Sequence, residues 1–213
     1  MSEADGNAAL QPTAFIDSQS EPVRDFVDRH AGTGSDRERA IRLYYAMRDA
    51  IPYDMRHFGI EPHLFVASNV LAAPAAFCVP KAIALAATAR AAGIPARIGF
   101  ADVRNHLSTP RMLELIGTDV FYWHAFTVLH LDGQWVKATP AFDLAFCRKF
   151  NVKPLDFDGR SDSIFHEFDP DGRRHMDYVL DRGSYDDMPI ETFAAEMRSH
   201  YPRLVAASIA ERT

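Results

Sequence analysis

Residues 78–93 read CVPKAIALAATARAAG and residues 120–138 read VFYWHAFTVLHLDGQWVKA, and these two stretches decide the fold. In the first, Pro80 stands in an opening turn, where its missing N–H does no harm. Alanines and long aliphatics follow with almost no polar interruption, and Gly93 stands where a helix normally ends. A helix that is apolar all round has to be buried. In the second, two runs rich in β-branched and aromatic residues flank Asp132 and Gly133, a pair that favours a two-residue hairpin turn. Val120–Leu131 and Gln134–Ala138 are therefore expected to pair antiparallel. Pro95 to Val103 reads as a further strand leading away from the buried helix. The expected class is α+β: N-terminal helices, then a buried helix headed by Cys78 packed on an antiparallel sheet.

Outward from this centre the punctuation is regular. Ser20, Glu21 and Pro22 open a short helix with Val23, Phe26 and Val27 inward. Ser35 and Glu38 form a capping box for a second helix, in which Ala40, Ile41, Tyr44, Tyr45, Met47 and Ile51 run close to helical spacing until Pro52. Tyr53 to Pro74 reads as loop with a short helical piece at Ser68 to Leu71, and a loop is expected from Val103 to about Thr118. Beyond Pro140 the pattern weakens. Asn151 to Phe157 and His175 to Leu180 are candidate edge strands, and Pro189–Tyr201 and Pro202–Glu211 candidate helices. Residues 1–14 are expected as a disordered tail and 15–213 as a single domain.

The 213 residues are 47% hydrophobic and 24% charged, an ordinary globular balance. Net charge is −6, and no Lys/Arg run forms the basic stripe a phosphate backbone requires, so no nucleic-acid partner is expected. The longest weakly polar run, Val66 to Pro80, contains Ser68, Asn69 and two prolines, too broken for a membrane span. The N-terminus opens acidic, without a basic and an apolar secretory region, which points to a cytoplasmic protein. Cys78 and Cys147 are too few for a disulfide framework and too far apart for a zinc ribbon.

Chemistry concentrates at Cys78 and His124. A helix N-terminus offers partial positive charge and unpaired N–H groups, which favour a thiolate and can hold an oxyanion. His124, in the middle of the first hairpin strand, is a base in an apolar setting, with Tyr122, Phe126 and Val128 on its face. A third group should accept the second imidazole N–H, and Asp143, just past the hairpin, is the candidate carboxylate; Asp132 is explained by its turn. The bland alternatives are a packing cysteine, a hydrogen-bonded core histidine and a turn aspartate. Cys147 reads as packing and Lys81 as a helix-surface residue. Tyr53 and Tyr122 are possible oxyanion donors, and Trp123 walls the site or packs on the other sheet face. His57 with His63, and His166 with Asp169 and His175, lack the spacing of a recognised metal site, so neither metal nor cofactor is expected. Residues 158–190, dense in charge and turn formers, are either a lid or a solvated surface segment.

The runs AFCVPKAIALAATARAAGIPARIGFADV and WHAFTVLHLDGQWVKATPAFD, with AIRLYYAMRDAIPYD before them, resemble the transglutaminase-like superfamily of papain-like fold, over roughly Ala40 to Asp143. The resemblance implies that Cys78 is the nucleophile, that His124 is the catalytic histidine and that Gly93–Arg97 is a structural signature. Two positions depart from the family pattern. Phe77 stands where a small residue is common. Thr139, four residues past Trp135 and directly before Pro140, stands where the family has its acid, so His124 is oriented by Asp143, by Thr139, or by neither. The implied activity is acyl transfer through a thioester on a peptide or small-molecule substrate, with hydrolysis expected over transamidation. A catalytically silent domain used for binding or assembly is the rival.

Overall fold

The computed structural model describes residues 7–106, 108–165 and 176–210. Helices α1 (Glu21–His30) and α2 (Asp36–Ala50) come first, and the second is closed by the expected capping box: Glu38 N–H donates to Ser35 Oγ and Ser35 N–H to Glu38 Oε2. Short α3 (Ala67–Ala72) precedes α4 (Cys78–Ala91), the central helix, whose residues from Val79 to Arg90 are all buried. Strand β1 (Ala96–Asn105), helix α5 (Pro110–Ile116) and the hairpin of β2 (Val120–Leu131) and β3 (Gln134–Ala138) follow. Helix α6 (Leu144–Phe150), strand β4 (Met176–Tyr185) and helices α7 (Ile190–His200) and α8 (Pro202–Ala210) complete the chain. The sheet runs β3-β2-β1-β4, antiparallel throughout.

Three local devices fix the sheet and seat α4 on it. Thr127 Oγ1 donates to Ala82 O at 2.8 Å, fixing β2 one turn beyond Cys78. The Phe126 ring lies across Gly99, where a Cβ would stand 2.2 Å from a ring carbon, so only glycine allows this approach of β2 to β1. The hairpin turns at Asp132 and Gly133, both at positive φ (48° and 83°), as a two-residue turn with that pair requires. The main core lies between the helices and one sheet face. A smaller cluster of Ala101, Val103, Phe126, Val128 and Met176 forms a second one.

Lys81 corrects its expected surface position: it is fully buried and Nζ donates to Arg48 O (2.8 Å) and Ile51 O (2.6 Å), closing the C-terminal end of α2. Burial lowers its pKa to about 7. Arg90, also buried, donates to Ala96 O and Asp186 O. Of the stretch 1–14 expected as a disordered tail, residues 7–14 are described and are anchored: Ala9 is fully buried and its carbonyl accepts from Ala96 N. No strand forms over 151–157, and the fourth strand is the longer Met176–Tyr185. Helices α5 and α6 occupy stretches expected to be irregular. Thr109 and Asp143 cap their starts, and Gly117 and Asn151 end them in left-handed conformation. Among the described residues no helix is long and apolar enough to cross a membrane.

Candidate functional site

Cys78 is the first residue of α4. Phe77 in the capping position provides no side-chain hydrogen bond, which leaves the opening N–H groups for the site, and Pro80 removes one of them. The backbone N–H groups of Cys78, Val79 and, from β2, Ala125 all act on the sulfur and favour its anionic form. Burial opposes them and wins: the thiol is pushed up to about 11. The thiolate expected from the helix N-terminus is therefore not the resting form. Phe77 itself is buried against Phe58 and Phe65, with ring centroids 5.3 and 6.0 Å away.

His124 is aimed by a backbone irregularity that the sequence pattern does not announce. Trp123 has φ +59°, a left-handed conformation that costs a bulky residue of order 1–3 kcal/mol. The β1–β2 register shifts between Ala101 and Val103, so that Tyr122 and Trp123 form a bulge in β2 opposite the single residue Asp102 of β1. Asp102 is 2% exposed; its Oδ1 accepts from Trp123 N at 3.0 Å and from Arg182 Nε at 2.6 Å, and its Oδ2 accepts from Arg182 Nη2 at 2.9 Å. The Arg182 guanidinium also lies over the Trp123 ring, 4.9 Å from its centroid, and pairs with Glu196. A buried charge pair thus holds the peptide that directs the next side chain, His124. Only the bulged pairing of β1 reveals this role; a lone Asp in an apolar strand is the one hint the sequence offers.

His124 is 7% exposed, and desolvation lowers its pKa to about 4, so the ring is neutral at ordinary pH. Among the described residues its Nε2 has no hydrogen-bond partner, and neither has Thr139 Oγ1. Both residues line a cavity of about 20 Å³, walled otherwise mainly by apolar side chains such as Phe142, Ile164 and Phe165. That is room for one water with two polar groups to bind it. The expectation that Asp143 orients His124 is corrected. Asp143 Oδ1 accepts from Ala145 N (2.8 Å) and Phe146 N (2.9 Å) as the cap of α6, Oδ2 accepts from Tyr53 N (2.7 Å), and no hydrogen bond joins it to His124. These N–H bonds and the nearby Lys81 charge hold the Asp143 carboxyl below its usual range, against the opposing effect of burial. Asp143 is thus a helix N-cap, where the bland alternative was an ordinary turn aspartate.

On its other side His124 shares with Cys78 a pocket of about 50 Å³ walled by Tyr53, Phe121, Trp123 and Met197 among others. Tyr53 is held there by its N–H bond to Asp143 and by edge contacts with Phe142 and Phe146, at 4.8 and 5.0 Å between centroids. Tyr122 also lines the pocket and stacks on His200 at 3.7 Å. Cys147 is buried, its thiol pushed up to about 11, mainly by desolvation. Among the described residues no three His, Cys, Asp or Glu side chains gather as metal ligands; the set of His166, Asp169 and His175 lies outside them. A family model of the transglutaminase-like superfamily matches residues 24–140, which contain Cys78, His124 and Thr139 but not Asp143. Neither a curated protein nor a solved structure matches the chain.

Proposed function

Because the chain belongs to the transglutaminase-like superfamily, whose members are generally cysteine-dependent acyl-transfer proteins, we propose that it is a cysteine hydrolase. Its substrate is an amide or related acyl bond of a peptide or small molecule, cleaved through a thioester at Cys78. The observation that carries this reading is the shared pocket of Cys78 and His124, with three backbone N–H groups gathered on the sulfur. A neutral thiol beside a neutral imidazole reacts by general-base catalysis. As sulfur attacks the carbonyl carbon, His124 takes the thiol proton, and backbone N–H groups at the helix start hold the oxyanion. Collapse breaks the C–N bond, His124 gives its proton to the leaving amine, and the acyl group stays on sulfur. Water then attacks the thioester while His124 takes its proton. The C–S bond breaks, the carboxylic acid leaves and the thiol regains a proton. His124 is oriented by Thr139 across the small cavity, while Asp143 supports the site by fixing Tyr53. Two free cysteines fit a reducing, cytoplasmic setting.

A second reading, a catalytically silent domain for binding or assembly, is favoured by one observation: the thiol is raised and the imidazole lowered, so no ion pair is preformed. Turnover of acyl aryl esters and amides by wild type, Cys78→Ala and His124→Ala separates the two. Hydrolysis by wild type alone, with folded variants, supports the enzyme. Equal rates in Cys78→Ala overturn it. An acylated amine, in place of the free acid, when a primary amine is supplied would change the acceptor from water.

A further inference from the structure

The pocket that Cys78 opens into has a composition that selects its substrate. No charged side chain lines it among the described residues. Its walls are mainly aromatic rings, aliphatic side chains and the three methionines Met55, Met176 and Met197, with Asn105, His124 and the tyrosines Tyr53, Tyr122 and Tyr201 as uncharged polar residues. Two of the polar groups that come near are engaged elsewhere. Tyr201 Oη donates to Val120 O (2.9 Å) and accepts from Tyr122 N (2.6 Å), and Trp123 Nε1 points away to Glu196 (3.4 Å). The Asp102–Arg182 pair lies behind the Trp123 ring, and its charges are spent on each other and on the Trp123 N–H.

Resting on the assignment of Cys78 as nucleophile, we propose that this pocket binds an uncharged apolar acyl group, aromatic or branched aliphatic, and excludes acyl groups that carry a carboxylate or an ammonium. A charged acyl chain would leave its water there and find no opposite charge, which is costly for any ion. An apolar chain replaces water at no such cost. The methionines make the selection one of polarity over shape: unbranched, with three rotatable bonds and a polarisable sulfur, they repack around chains of different outline. Met55, Phe58 and Leu204 also line an adjoining open groove whose charges are of both signs: Arg56, Arg111 and Arg203 stand there with Asp54 and Glu114, and Arg56 is paired with Asp54.

Three alkylating probes test this without reference to turnover: phenacyl bromide (apolar, aromatic), iodoacetamide (neutral, polar) and iodoacetate (anionic). Each rate at Cys78, read by peptide mass spectrometry, is divided by the same reagent's rate with N-acetylcysteine. High salt screens the net charge and the charges of the groove. The expected order is phenacyl bromide, iodoacetamide, iodoacetate, with about tenfold or more between the first and last, the discrimination an apolar pocket gives for small changes in a ligand. Met55→Lys, at a half-buried position of the wall, should raise the normalised iodoacetate rate. Equal normalised rates, or a preference for iodoacetate, would overturn the pocket assignment while the nucleophile stands. Failure of all three reagents at Cys78 in the folded protein, with labelling restored in urea, would overturn the nucleophile itself and this inference with it.

Discussion

Removing the carboxylate of Asp102 tests the link between the buried charge pair and the aim of His124. In Asp102→Ala the Arg182 guanidinium, whose side chain is 17% exposed, loses its buried partner. Breaking a buried pair on one side costs about 3–5 kcal/mol. Arg182 keeps Glu196 and the Trp123 ring, which argues for the lower end. The Trp123 N–H is orphaned as well, adding about 1–3 kcal/mol. A total of roughly 4–6 kcal/mol corresponds to a fall in Tm of about 10–20 °C for a chain of this size. Asp102→Asn keeps an oxygen for the Trp123 N–H and should lose less stability. Replacing both partners, Asp102→Leu with Arg182→Met, removes the unpaired charge, so stability should largely return. The Trp123 N–H stays orphaned in that protein, and reactivity at Cys78 should remain low. Calorimetry combined with alkylation of Cys78 across pH reads both quantities. If the double variant recovers stability and the wild-type alkylation profile together, Asp102 does not position His124.

Three other changes follow from the same geometry. Thr139→Asp places a carboxylate beside the unpartnered His124 Nε2, with the adjoining cavity to make room; it should raise His124 from its present pKa of about 4 and speed Cys78 alkylation at neutral pH by about tenfold or more. An unchanged histidine titration by NMR would show that the two side chains do not communicate. Gly99→Ala drives a methyl into the Phe126 ring and should cost about 1–3 kcal/mol, read by urea unfolding, and Phe126→Leu should restore part of it. Acid should destabilise the fold through His124. Its folded pKa lies below the ordinary 6.5, so its contribution is intact above pH 6.5 and is lost as pH falls toward 4. A shift from 6.5 to about 4 corresponds to about 3 kcal/mol. His124→Gln should flatten that part of the stability curve, and an unaltered curve would contradict the burial of a neutral ring.

What could be read from the sequence was what local chemistry encodes. The capping box at Ser35 and Glu38, the Asp132-Gly133 turn and the apolar stretch after Cys78 each specify a conformation within a few residues, and each formed where its pattern places it. The motifs around Cys78 and His124 placed both in one pocket for the same reason. The misses depended on distant partners. Lys81 looked like a surface residue because nothing nearby in sequence shows the two carbonyls, 30 and 33 residues away, that it satisfies. The helix N-terminus suggested a thiolate, but the aromatic walls of the pocket around the buried sulfur come from distant parts of the chain, from Tyr53 to Tyr201. Asp143 was a plausible orienting carboxylate until the helix it caps became visible. Asp102 was invisible because its role is created by a bulge and by an arginine 80 residues downstream.

The most direct test of the central claim is to trap the acyl-enzyme: mix the protein with the p-nitrophenyl ester of an apolar acid, quench in acid and map the acyl group by mass spectrometry. A thioester on Cys78, absent from Cys147, formed slowly in His124→Ala and discharged by water in the wild type, is the predicted result. Acylation confined to other residues, or ester turnover that persists in Cys78→Ala, would contradict it.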